Sequence, residues 1–298
     1  MDNVITIKDR RYPILLKKIG KDAPRQLYYK GNWEDIFPAR AGGENCLAVV
    51  GSRRMTTYGK QATEKLVKEI AAAGVIIVSG FMYGVDATAH KAALSVGGKT
   101  IAVMPCGIDL IHPEYQSDLY NEILENGGLV ISEYDGNMQP SNWTYPRRNR
   151  IVAGLAMAAL IVEAGERSGS LITANFAKKF KRKLFAVPGP ITSMTSKGTL
   201  QLIKNGAEIA TDAKEILDFY GIRKQNNGSP TPINMAGGRS GASLLGGKII
   251  ECLQREPLEI DALARELEMS VSQIGTALSM MQLQGLIVQE GNKFYVRQ

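Results

Sequence analysis

Between residues 47 and 187 the chain alternates short apolar runs with amphipathic segments of helical length, and few folds can accommodate that pattern. The apolar runs are 47–50, 75–78, 100–104, 129–131, 159–162 and 184–187, most of them closed by Gly, Ser or Pro. Helical spacing recurs between them, at 59–73, 86–96, 114–125 and 170–179, with Pro113 placed where a proline suits a helix start. Near-continuous apolar strands joined by helices require a parallel sheet covered on both faces. The expected fold is therefore α/β, a Rossmann-like doubly wound parallel sheet spanning residues 46–220. Residues 1–45 have no strong period and read as an irregular lead-in packed on that sheet.

Composition changes after Tyr220. Residues 221–241 are rich in Asn, Gly, Ser and Pro and read as a flexible linker. Residues 242–298 offer helices at 244–255, 259–268 and 270–284, then a hairpin of 286–288 with 294–297. Ser270 reads as a helix N-cap and Gly285 as a stop. Three helices and a hairpin predict a small winged-helix-like domain, with Ile274, Leu278, Met281 and Leu283 expected in its core. Met280 or Met281 is left as one exposed position for a protein partner.

The 298 residues are 44% hydrophobic, ordinary for a water-soluble chain. No run of about 18 apolar residues exists to span a membrane. The polar start MDNVITIKDRRYP has no signal-like stretch. Cys46, Cys106 and Cys252 form no C-x-x-C pair, which reads as reduced thiols in a cytoplasmic chain. With only His90 and His112 present, no histidine-rich metal site is expected. The net charge is +7, unevenly placed: five Lys and Arg against seven acids from Ala242 onward leave that segment at −2 and residues 1–241 at +9. A field that attracts phosphates must come from the large domain.

Open parallel sheets bind ligands beyond the carboxyl ends of their strands. After the first strand comes Gly51-Ser52-Arg53; after the second, Ser79-Gly80-Phe81-Met82-Tyr83-Gly84-Val85-Asp86, whose glycines let backbone N–H groups approach an anion. The fourth strand leads through Ser132-Glu133 and a loop to Trp143-Thr144-Tyr145-Pro146-Arg147-Arg148-Asn149-Arg150. The fifth is followed by Glu163 and by Arg167-Ser168-Gly169-Ser170, and the sixth by Pro188-Gly189-Pro190. Three guanidiniums in four residues beside two aromatic rings suit fixed phosphates and stacked bases. The Ser168-Gly169-Ser170 turn fits either an anion site or helix capping. The basic run 178–183 fits either a solvated helix end or a DNA track beginning at Lys178.

Competing chemistries have less support. The G-x-G-x-x-G fingerprint and the Walker A pattern are both absent. Neither histidine lies in a recognisable catalytic arrangement. His90 reads as packed, Asp86 as stabilising a helix N-terminus, and Cys106 as a small turn residue.

In this order and spacing the motifs resemble the DNA-processing protein A family, also called Smf, over about residues 12–220. The resemblance is carried by Tyr12-Pro13 with Leu27-Tyr28, Gly51-Ser52-Arg53, Ser79-Gly80 through Gly84-Val85-Asp86 and His90. It continues through residues 98–103, Tyr145-Pro146-Arg147-Arg148-Asn149-Arg150-Ile151, residues 167–174 and Phe185-Ala186-Val187-Pro188-Gly189. It implies a homodimeric, non-enzymatic protein that binds single-stranded DNA and helps load a RecA-type recombinase in natural transformation or recombination. Met82-Tyr83 stand where the family commonly has a small and a basic residue, and Tyr145 replaces a usual Phe.

The resulting candidate DNA-binding residues are Gly51, Ser52, Arg53, Ser79, Gly80, Tyr83, Tyr145, Arg147, Arg148, Asn149, Arg150, Ser168, Gly169 and Lys178. Catalytic residues, a metal and a cofactor are not expected. The alternative is a Rossmann-fold enzyme acting on a nucleotide or phosphoribosyl compound in the same cleft.

Overall fold

The computed structural model describes residues 3–38, 45–222 and 241–296. The chain divides into two compact units, Met1–Gln225 and Asn226–Gln298. Most of the expected linker falls outside the described residues.

In the first unit, β1 (Val4–Thr6), α1 (Ile14–Lys17), β2 (Gln26–Gly31) and α2 (Trp33–Ile36) come before β3 (Cys46–Val50). There follow α3 (Thr57–Ala72), β4 (Ile76–Ser79), α4 (Val85–Leu94), β5 (Thr100–Val103), α5 (Ser117–Glu125) and β6 (Leu129–Ser132). The unit continues with α6 (Thr144–Leu155), β7 (Ala158–Ile161), α7 (Ser170–Lys179), β8 (Lys183–Ala186), α8 (Lys197–Lys204), β9 (Glu208–Ile209) and α9 (Ala213–Phe219). One sheet holds all nine strands in the order β1-β2-β6-β5-β4-β3-β7-β8-β9. From β6 through β9 neighbouring strands are parallel.

The apolar strands read as expected because both faces are covered. All five residues of β3 are buried. Cys46, Ala48 and Val50 point into a core shared with α1, α6 and α7, whereas Leu47 and Val49 join α3, α4 and α9 on the other face. A third cluster packs α5 against β5 and β6 through Leu119, Tyr120 and Ile123. Strand order reverses between β3 and β7, so the crevice of a doubly wound sheet opens where these two strands end.

The lead-in is not irregular, which corrects the reading above. β2 pairs antiparallel with β6, and β1 with β2. Most of β2 is only half-buried and polar, so its own pattern does not mark it as a strand. Its conformation comes from pairing with β6, a tertiary effect that local periodicity cannot show. Trp33 anchors the segment, its ring 4.8 Å from Tyr29 and 5.0 Å from Phe37.

The second unit contains α10 (Gly241–Arg255), β10 (Leu258–Glu259), α11 (Ile260–Glu266), α12 (Val271–Leu283), β11 (Ile287–Glu290) and β12 (Lys293–Val296). Its three strands lie in the order β10-β12-β11, and three helices with such a sheet make a winged helix. Ser270 and Gln273 form a reciprocal capping box at the start of α12. Ile274, Leu278 and Met281 are buried, as expected from their i, i+4, i+7 spacing. Leu283 is not in the core: it is 89% exposed, because two residues past Met281 the helix has turned away from the buried stripe. Met280 is the exposed methionine of the pair.

Candidate nucleic-acid interface

At the crevice, close backbone packing sets the walls. A Cβ on Gly51 would lie 2.5 Å from Val85 Cγ2, and one on Gly84 would overlap the Ser52 carbonyl. Gly84 also has φ +76°, a left-handed conformation that favours glycine. The loops after β3 and β4 therefore touch main chain to main chain, and Val85 N–H donates to Ser52 O at 3.2 Å. Beyond β7, the buried Glu163 carboxylate accepts from Thr56 N at 2.8 Å, Thr56 Oγ1 at 2.6 Å and Thr195 Oγ1 at 3.1 Å. One carboxylate thus ties three loops around an open cleft of about 640 Å³.

One stripe of α6 forms part of the cleft wall. Tyr145, Arg148, Asn149 and Val152 line it at i, i+3, i+4 and i+7. Arg148 is 3% exposed, and its Nη1 donates to Gly80 O at 2.5 Å and to Val103 O. It thereby clamps the ends of β4 and β5 together. Asp86 meets it over Gly80: a Cβ there would lie 2.6 Å from Asp86 Oδ2 and 2.7 Å from Arg148 Nη2. Burial pulls the Arg148 guanidinium down to about 10, with Asp86 opposing. The same burial lifts the Asp86 carboxyl to about 6 against the pull of Arg148. Each charge makes the other tolerable in the interior.

Helical geometry divides the arginine run that the sequence presents as one cluster. Arg147 and Arg150 lie off the cleft stripe of α6 and pair with Glu133, at 3.3 and 2.5 Å. Arg147 also lies 5.9 Å from the centre of the exposed Trp143 ring. Arg53 instead sits at the cleft rim, its guanidinium 5.0 Å from the centre of the Tyr145 ring and 5.9 Å from that of Tyr83. His112 Nε2 lies 2.8 Å from Tyr145 Oη and so helps fix that ring.

The cleft brings together Gly51, Ser52, Arg53, Gly80, Tyr145, Arg148, Asn149, Ser168 and Gly169 of the candidate residues. Ser168 Oγ lies 2.7 Å from Ser170 Oγ and accepts from Ser170 N–H at 3.4 Å, so the turn caps α7 where it opens on the cleft. Ser79, Tyr83, Arg147, Arg150 and Lys178 do not line it. The Ser79 hydroxyl is buried and donates to Val49 O at 2.6 Å, and Lys178 is exposed in the last turn of α7. Asp86 both occupies the first turn of α4, as read, and faces Arg148 over Gly80. Met194 and Thr195 join the wall from the loop after β8 without a sequence signal to mark them.

Comparison with known proteins places this site in context. The family model described as DNA recombination-mediator protein A matches residues 3–221, and the DprA winged helix domain model matches residues 240–293. Protein Smf of Synechocystis sp. is 32% identical over 98% of this chain and 79% of its own length. The X-ray structure of DNA processing protein A from Streptococcus pneumoniae is 39% identical with a TM-score of 0.66, over 73% of this chain and 74% of that one. DNA processing protein A from Helicobacter pylori is 31% identical with a TM-score of 0.63, over 74% of this chain and 98% of that one. The Helicobacter structure was described for its unique single-stranded DNA binding mode.

Proposed function

We propose that this chain, which belongs to the DNA recombination-mediator protein A family, binds single-stranded DNA at the cleft rim without enzymatic turnover. The observation that carries this reading is the Arg53 guanidinium held between the Tyr145 and Tyr83 rings, at the switch point of the sheet. A phosphate on Arg53 gains a charge-assisted bond, and backbone N–H groups of the glycine turns add further donors. Tyr145 offers a flat face to an adjoining base. Arg148 adds positive charge from beneath, while two of its hydrogen bonds hold the strand ends. The bound strand would be presented to a RecA-type recombinase by a cytoplasmic homodimer, a role supported by family membership. Among the described residues no helix is long and apolar enough to cross a membrane.

Filter binding of single- and double-stranded oligonucleotides at two salt concentrations tests the reading. With about three phosphates neutralised, log K for the single strand should fall against log salt with slope roughly −2. Equal affinity for duplex would overturn single-strand binding, and tight binding with turnover of a mononucleotide would favour the enzyme alternative.

A further inference from the structure

Outside the cleft, two tyrosines stand where the core does not claim them. Tyr83 is 43% exposed and Tyr115 69% exposed, with ring centres 6.1 Å apart and planes tilted by 33°. They belong to different segments, the turn before α4 and the stretch leading into α5. Buried Gln116 locks these together by donating to Phe81 O at 3.0 Å. Phe81 itself is buried with φ +57°, a left-handed conformation that a bulky residue adopts only when its surroundings impose it. The backbone beneath both rings is therefore fixed, and the rings face solvent, Tyr83 beside Arg53.

We infer that Tyr83 and Tyr115 form a base-stacking shelf, extending the DNA site beyond the cleft and taking one unpaired nucleobase next to the phosphate held by Arg53. This rests on the single-strand reading above. A guanidinium 5.9 Å from the nearer ring provides the cation-beside-ring arrangement that a nucleotide needs for its phosphate and base together. The shelf reads no base identity, since every base has a π-face. It adds affinity that does not depend on salt, because stacking releases no counterions.

The test compares a thymidine oligonucleotide with an abasic oligonucleotide of equal length, on the full chain. The double variant Tyr83→Ala/Tyr115→Ala should bind the base-bearing strand about tenfold more weakly, as expected for one lost stack. Its loss on the abasic strand should be clearly smaller, because Arg53 keeps its nearer contact with the Tyr145 ring, and its salt slope should hold. Tyr83→Phe/Tyr115→Phe should retain binding, because the rings remain. Arg53→Ala should weaken both strands and flatten the slope. Equal loss on both strands for the double alanine variant would overturn the shelf, as would no loss on either while Arg53→Ala still weakens binding; in that second case the single-strand reading survives. Failure of the unsubstituted protein to hold the base-bearing strand would overturn both.

Discussion

The rim of the large unit and α12 of the small one are both helix-rich surfaces set against a sheet, but their side chains are very different. At the rim a guanidinium is fixed between tyrosine rings, above a buried arginine, in a segment whose sequence carries +9. Along α12 there is no Lys or Arg, and the outward positions are Ser272, Gln273, Thr276, Met280 and Leu283, in a segment at −2. A winged helix that reads duplex normally places this helix in the major groove with basic support. Fold type alone does not separate the two units, whereas the distribution of fixed cations differs sharply between them, and the proposal that DNA binds at the rim rests on that difference.

The largest expected effect tests whether the rim depends on its buried arginine. Arg148→Ala leaves Asp86 as an uncompensated buried carboxylate and unpins the carbonyls of Gly80 and Val103. Loss of one partner from such a pair costs about 3–5 kcal/mol. Urea denaturation followed by circular dichroism should show a large drop in the midpoint for the first unit, with weakened DNA binding as a consequence. An unchanged midpoint would mean that Arg148 is free to serve as an ordinary phosphate ligand.

Arg53→Ala should act on binding rather than on folding, because its guanidinium sits at the rim over exposed rings. Single-strand affinity should fall about tenfold, or ~1.4 kcal/mol, uniformly across sequences. The salt slope should flatten by about 0.7. A sequence-dependent loss would place Arg53 on base edges instead.

A smaller effect concerns pH. Burial, then the neighbouring Arg53 and Arg148 charges, hold the His112 imidazole below its usual 6.5. A phosphate arriving at Arg53 offsets that repulsion, so the complex holds the His112 proton more readily than the free protein. Affinity should therefore rise as pH falls below 6.5, by about fivefold between pH 7.5 and 5.5. Asp86, lifted to about 6, titrates in the same interval and in the same direction. The readout is therefore the difference between the unsubstituted protein and His112→Gln, which should lose part of the rise. Identical pH profiles for the two would remove His112 from the site.

Six of the seven parallel strands, β3 to β8, were legible to within one or two residues because burial on both faces keeps their interiors apolar; β9, two exposed residues at the sheet edge, was not. Nor was β2, since its partner β6 lies about a hundred residues away in sequence, and β1 in turn pairs only with β2. The strand-end turns that line the cleft were legible because open α/β sheets bind ligands beyond the carboxyl ends of their strands. The division of Arg147, Arg148 and Arg150 was hidden for a different reason. A proline and four polar residues at the start of α6 mask its period, and without an assigned helix three neighbouring arginines look like one patch. Placed on a 3.6-residue turn, Arg148 falls on the stripe of Tyr145 and Asn149, and the other two fall behind it. Leu283 shows the same error in reverse, since apolar character suggested a core position that the helical angle denies.

The smallest expected effect bears most directly on the comparison. Truncating after Tyr220 removes all of α10 to β12, and with it seven acids and eight basic residues, three of these in 221–241. If the rim is the reader, removing a segment of net +1 leaves its field almost unchanged and its contacts intact. Single-strand affinity should then stay within about threefold, ~0.7 kcal/mol, with any long-range electrostatic change small and toward weaker binding at low salt. The salt slope should also hold, because α12 contributes no cation to release counterions. Duplex binding through Ser272, Gln273 and Thr276 is the way this could fail, since hydroxyl and amide groups reach base edges without charge. A duplex oligonucleotide run beside the single strand separates the cases. A hundredfold loss on the single strand would show that the small unit supplies contacts that its charge does not reveal. A loss confined to duplex would leave the rim as the single-strand site and make α12 a second, uncharged reader.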